Sequence, residues 1–209
     1  YFALSGESSY RPFATFTYFV DYALYGLKPW GYHLTNVLLH TVNCVLFYIF
    51  LTLLFQSSVV NETRPIRTRL FNNKHFIMSF LFTIHPVLTE AVNAISYRED
   101  LLVFLFYMAT LVIYLSLMSA RSINKIYISI LFALSCILYF LALFSKEMAV
   151  TLPLIILCYE WVFRDRAIKT SKFFPFNIYN FAYILITIIY LYFRFYLFRN
   201  QNEAMPIYW

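Results

Sequence analysis

The sequence predicts an all-α, polytopic transmembrane bundle of about six spans, preceded by an interfacial amphipathic segment. Three observations carry this reading. The 209-residue chain is 62% hydrophobic and 22% aromatic, and only 12% of it is charged, about half the charged fraction of an ordinary soluble domain. Its apolar residues run in stretches of about twenty, the length a helix needs to cross a hydrocarbon core of roughly 30 Å. Its charges gather between those stretches. With 24 Phe and 19 Tyr against 3 Gly and 7 Pro, the spans are bulky and unsuited to close glycine-mediated helix contacts.

Residues 1–32 hold all the glycines and many aromatics, but Glu7, Arg11, Asp21 and Lys28 interrupt any span. Phe16, Phe19, Val20, Ala23, Leu24 and Leu27 recur at helical spacing, which predicts an amphipathic helix lying at the membrane surface and closed by Gly26 and Pro29. The first span is expected over about 33–55. Within it His33, Asn36, His40 and Asn43 follow steps of three, four and three, placing four polar side chains on one stripe. Such a stripe either bonds neighbouring helices or lines a substrate cavity.

A polar loop precedes the second span, 75–96, in which Pro86 removes a backbone donor and restricts His85, so the helix is expected to break there. The third span is read over 101–118, the fourth over 126–144, the fifth over 148–163 and the sixth over 177–197. The second ends in a dense polar cluster, SYRED, and the fourth in SKE. Cys44, Cys136 and Cys158 all fall in apolar runs and read as buried thiols, with no disulfide framework. The chain opens at Tyr1 without methionine or signal-peptide character, and is expected to be a piece of a longer protein.

Alternating six spans divides the loops into two sets. One carries Arg64, Arg67, Arg69, Lys74, Arg121, Lys125, Arg164, Arg166, Lys169 and Lys172, opposed only by Glu62 and Asp165. The other mixes basic residues with Glu7, Asp21, Glu90, Glu99, Asp100, Glu147 and Glu203. The positive-inside rule makes the first set cytoplasmic and places the amphipathic opening, the broken helix, SYRED and SKE together on the lumenal or periplasmic side. The net charge of +6 is explained by this asymmetry, and no nucleic-acid partner is expected.

Arg98 and Lys146 sit on the side where basic residues are depleted, and Arg98 and the SKE corner open helices whose dipole opposes them. Both suit a lipid-linked phosphate, arginine by a two-pronged hydrogen bond and lysine as a point charge. Arg11 pairs with either an acid or the same phosphate. Glu99, Asp100 and Glu147 read as helix-start carboxylates or as site residues. His85 and Glu90 either bond the backbone groups freed by the break or position a substrate. Their spacing of five across a proline is not that of zinc ligands, so no metal site or cofactor is predicted, and a divalent metal requirement stays open.

The strings SYRPF (9–13), YGLKPWGYHLTNVLLH (25–40), HPVLTEAVNAISYREDLL (85–102) and SKEMAVTLP (145–153) resemble the membrane half of the transmembrane and tetratricopeptide-repeat O-mannosyltransferases, which belong with the glycosyltransferases of the GT-C fold. The resemblance covers about 1–163. It implies transfer of a sugar, typically mannose, from a polyprenyl- or dolichyl-phosphate donor to a protein serine or threonine on the non-cytoplasmic face. It also implies that the catalytic carboxylate lies upstream of Tyr1, in an acidic motif that Glu7 and Asp21 do not replace, so that these 209 residues alone are expected to be inactive. Arg98, Lys146 and Arg11 would then hold the donor phosphate, while His85, Glu90, Glu99, Asp100, Glu147, His33, Asn36 and His40 shape the cavity. The alternatives are a membrane transporter or flippase, which would want paired broken helices near the bilayer midplane, and a non-catalytic membrane scaffold.

Overall fold

The computed structural model describes residues 11–58, 73–119, 124–167 and 178–202. The described residues form α-helices and short 3-10 turns, with no strand among them. Residues 1–10, most of the 56–75 loop, the Arg121 loop, the basic stretch after Ala167 and the C-terminal tail lie outside the described residues.

Helix α1, Pro12–Tyr25, starts on a proline whose missing N–H is no loss at a first turn. It stops at Gly26, whose φ of 61° is a conformation that glycine adopts without steric cost. Its inward face carries Ala14 and Asp21, both buried. Phe16, Phe19, Val20, Ala23, Leu24 and Leu27, the face expected to meet lipid, are all exposed. Helix α2, Pro29–Ser58, again opens on proline and runs for 30 residues, about 45 Å at the usual rise and longer than the roughly 30 Å of a bilayer core. A side chain at Gly31 would put its Cβ 2.2 Å from the Tyr25 ring, so the close turn from α1 into α2 depends on that glycine.

The expected break is present. Helix α3, Asn73–Thr83, and helix α4, Val87–Asn93, meet at 57° across His85 and Pro86. The segment closes with a 3-10 turn, Ile95–Tyr97, and leads directly into helix α5, Arg98–Ser119. Helix α5 is the centre of the bundle, packed between α2 and helix α6, Lys125–Ser145. Its Leu102, Leu111, Tyr114 and Leu115 are buried against Tyr139, Ala142 and Leu143 of α6. The fifth span differs from expectation: Glu147–Thr151 forms a 3-10 turn, and helix α7, Leu152–Ala167, begins only at Leu152. Pro153 thereby sits in the first turn of α7, where its ring is tolerated. Helix α8, Ile178–Asn202, is joined to α6 by two hydroxyl pairs one turn apart, Ser135 with Tyr183 (2.8 Å) and Tyr139 with Thr187 (2.5 Å).

Among the described residues three helical stretches are long and apolar enough to cross a membrane, Pro29–Phe55, Ile95–Met118 and Lys125–Ser145, and the bent α3–α4 pair makes a fourth if its two halves count as one span. Their outward faces suit that setting. Leu34, Leu38, Val42 and Val45 on α2, and Ile130, Leu134 and Ile137 on α6, are exposed apolar side chains at helical spacing, which water would penalise at about 25 cal/mol per Å². Cys158, expected to be buried, is exposed on α7, while Cys44 and Cys136 are half-buried. It lies among exposed Leu154, Trp161 and Val162, so its apolar run reflects contact with the surroundings of the bundle and not packing within it.

Candidate functional site

The charged side chains of α1, α5, the Glu147 turn and α8 meet at one end of the bundle. Among the described residues four ion pairs tie them together: Arg98 with Asp21, Arg11 with Glu99, Lys146 with Asp100, and Arg194 with Glu147. Each pair joins residues from two different elements. The cluster therefore staples the amphipathic α1 and the end of α8 to the first turn of α5 and the corner after α6.

The four pairs are not alike. Arg98 is fully buried, and its Nη2 lies 2.6 Å from Asp21 Oδ2. Its Nε donates to Asn36 Oδ1 (2.9 Å), and Nη2 donates to the Tyr32 carbonyl (3.0 Å). The Tyr18 ring lies 4.5 Å from the guanidinium carbon, within range of a cation–π attraction. Asp21 in turn accepts from the Thr35 hydroxyl (2.8 Å). The sequence suggests Arg98 as a phosphate ligand, yet in the folded chain its guanidinium is committed to the protein. Only Nη1 has no partner, and it is buried as well.

Lys146 and Asp100 are the accessible pair, with side chains 19% and 33% exposed. Lys146 is in extended conformation just past α6, its N–H bonded to the Ala142 carbonyl, so its side chain leaves the helix end sideways. Arg11 donates to Glu99; burial alone would lower its pKa, but the hydrogen bond and charge of Glu99 outweigh that and raise it. Glu147 opens the 3-10 turn and not a helix. Burial would raise its carboxyl, but a hydrogen bond from its own backbone N–H and the charges of Arg194, Arg11 and Lys146 hold it below the ordinary value.

Beside the Lys146–Asp100 pair lies an apolar cavity of about 400 Å³, within the usual range for small-molecule sites of roughly 300–1,000 Å³. Its walls come from α2 (His40, Asn43), α3 (Phe82), α4 (Leu88, Ala91) and α5 (Leu101, Phe104, Met108). Met148, Thr151 and Ile155 close the remaining side. Among the described residues Asp100 is its single charged lining residue, and Tyr107 and Thr151, whose hydroxyls are 3.2 Å apart, add polarity. The helix break is what admits this space: α4 turns away from the line of α3 and lays Leu88 and Ala91 along the wall.

The polar stripe of α2 divides by depth. Asn36 and Asn43 are buried and bond across helices, Asn36 Nδ2 to the Val92 and Ala94 carbonyls (3.4 Å each) and Asn43 Nδ2 to the Leu101 carbonyl (3.0 Å). Asn36 thus bonds two carbonyls where α4 ends, of which that of Ala94 also accepts from the Tyr97 N–H (3.2 Å). His40 and Asn43 also line the cavity, and Asn43 Oδ1 is buried without a partner, an acceptor awaiting a donor. His33 is exposed. His85 Nδ1 accepts from the Val87 N–H (3.3 Å), capping α4. Glu90 is exposed, and neither it nor His85 lines the cavity.

Sequence reasoning passes over three residues. Asp21 is the single charged residue of α1, and a lone acid inside an apolar helix is a signal that a buried cation awaits it. Glu160, which accepts from the Tyr114 hydroxyl (2.5 Å), stands in an apolar run and is likewise visible as an acid that needs a polar partner. Arg194 donates to Tyr190 (2.7 Å) and Glu147, and its spacing of four from that tyrosine is visible in the sequence. Among the described residues no group of three or more His, Cys, Asp or Glu side chains could hold a metal ion.

No protein-family model matches the chain, and no solved structure matches it. Curated relatives do. The chain is 31% identical over 158 residues to the Caenorhabditis elegans protein O-mannosyl-transferase F38B6.6, covering 76% of this chain and 20% of the relative. It is 32% identical over 154 residues to human protein O-mannosyl-transferase TMTC3, covering 74% of this chain and 15% of the relative. Against human protein O-mannosyl-transferase TMTC2 it is 34% identical over 115 residues, covering 55% and 12%. The chain thus spans a fifth or less of the length of these relatives. It is a homologue of the TMTC protein O-mannosyl-transferases, the family its motifs resemble.

Proposed function

We propose that the protein is part of a membrane glycosyltransferase that moves a sugar, typically mannose, from a polyprenyl-phosphate carrier to a serine or threonine of a protein acceptor. The observation that supports this most is the apolar cavity with a lysine-bearing ion pair beside it. An isoprenoid chain suits the cavity's walls, and a phosphate suits Lys146. The relatives' names supply the transfer of mannose to protein.

The reading takes the bundle as about six spans, with α7 and α8 completing it, and sets the ion-pair cluster on the lumenal or periplasmic face. There α1 lies along the surface with its apolar side in the headgroup region. Arg98 holds α1 in place, and Lys146, with Arg11 beside it, faces the donor phosphate as the sugar leaves. Asn43 accepts a hydrogen bond from the bound donor. Asp21, Glu99, Asp100 and Glu147 each already face a cation, so the general base that takes the acceptor hydroxyl proton is a carboxylate outside this set.

The test is mannosyl transfer by the full-length protein in nanodiscs, from polyprenyl-phosphate mannose to a serine- and threonine-containing peptide. Met108→Trp, which fills the cavity, is expected to raise the KM for the donor and leave the KM for the peptide unchanged. Absence of transfer, or movement of the lipid-linked sugar across sealed vesicles without transfer, would overturn the reading in favour of a transporter.

A further inference from the structure

We propose that Asp100 is a competitor for Lys146 that an incoming lipid phosphate must displace, and that it sets how firmly the site keeps its phosphate. This rests on the donor reading above. Asp100 is the single charged residue lining the cavity, and Lys146 Nζ is bound to it. A lipid whose chain fills the cavity brings its phosphate to the place where that carboxylate already sits.

The exchange is feasible at this pair and not at the buried one. Asp21 is almost fully enclosed with Arg98, and parting them would strand a charge in a dry interior. Asp100 is a third exposed and lies in the first turn of α5, where the helix's positive end and solvent stabilise a carboxylate that has lost its lysine. Lys146 has a flexible four-carbon stem and no fixed fork geometry, so it can trade one oxygen ligand for another.

The chemistry gives the device a direction. In the transfer, the bond between the sugar carbon and the phosphate oxygen breaks and a bond to the acceptor oxygen forms. The acceptor proton goes to the general base. The donor is a phosphodiester with one negative charge; the polyprenyl monophosphate left behind carries about −1.5 to −2, like other phosphate monoesters. Lys146 alone would therefore hold product more tightly than donor. Asp100 opposes both and favours release of the product.

The experiment compares full-length wild type, Asp100→Asn, Lys146→Met and the double variant for binding of polyprenyl monophosphate, neutral polyprenol and inorganic phosphate in nanodiscs. Asp100→Asn is expected to tighten polyprenyl monophosphate about two- to fivefold, the range for freeing a partly exposed ion pair. Polyprenol binding should not change, and inorganic phosphate should not compete. In transfer assays the same variant should lower donor KM and kcat together, because product leaves more slowly. The double variant should bind the monophosphate no better than Lys146→Met. Unchanged or weaker monophosphate binding by Asp100→Asn, tightening that persists without Lys146, or equal competition by inorganic phosphate overturns the proposal while the donor reading stands. If wild type itself does not prefer the monophosphate to polyprenol, both fall.

Discussion

Replacing Asp21 by alanine should detach α1 from the bundle, and the size of the effect follows from its surroundings. Arg98 has no exposed surface and loses the carboxylate that faces it 2.6 Å away. The Asn36, Tyr32 and Tyr18 contacts remain but supply no countercharge. Removing one partner of a buried pair costs about 3–5 kcal/mol. The Thr35 hydroxyl, which donates to Asp21 over 2.8 Å, loses its acceptor, a further cost of about 1 kcal/mol. The folded-to-unfolded ratio should then drop by about 1,000-fold or more. Trp30, packed on Tyr25 where α1 turns into α2, gives a fluorescence signal for unfolding in mixed micelles. Arg98→Met in the Asp21→Ala background should recover part of the loss, because neither charge is then buried alone, with a coupling of about 2 kcal/mol or more. A single-variant cost below about 1 kcal/mol, or strictly additive effects, would show that the pair does not hold α1.

Two further outcomes follow from the same cluster. Asn36→Leu removes the acceptor of Arg98 Nε and the donor to the Val92 and Ala94 carbonyls, so it should cost about 2–3 kcal/mol in the same unfolding assay, with Asn36→Asp recovering the arginine contact alone; a neutral Asn36→Leu would contradict this account of the helix break. Glu147 has its carboxyl pKa lowered by folding, so its contribution is present above the unfolded carboxyl value of about 4.3 and disappears as pH falls through the lower folded value. Melting curves of wild type and Glu147→Gln should therefore differ at neutral pH and converge in acid, and a constant gap across that range would argue against the ion pair with Arg194.

Much of the fold is legible in the sequence because membrane helices are read from composition and length. The break at Pro86 needs no tertiary information, since the missing N–H and the restricted His85 follow from the proline itself. The amphipathic character of α1 is visible in Phe16, Phe19, Val20, Ala23, Leu24 and Leu27, all exposed in the folded chain. Helix α7, read in the sequence as the fifth span, starts later than its apolar run suggests, because Met148, Ala149 and Val150 look the same in a 3-10 turn as in a helix.

The sequence by itself determined that the chain is helical and apolar, that its helix breaks at Pro86, and that Arg98, Lys146 and their acidic neighbours are out of place for ordinary loop charges. Hydropathy and backbone chemistry are local and survive without knowing what touches what. Only the tertiary structure decided which carboxylate meets which cation. Arg98 and Lys146 read alike in the sequence, but Asp21 reaches Arg98 from a helix far away in the chain and seals it, while Asp100 leaves Lys146 beside an open cavity. Ion pairing depends on distances between elements, and those distances are set by how α1, α5 and the corner after α6 pack.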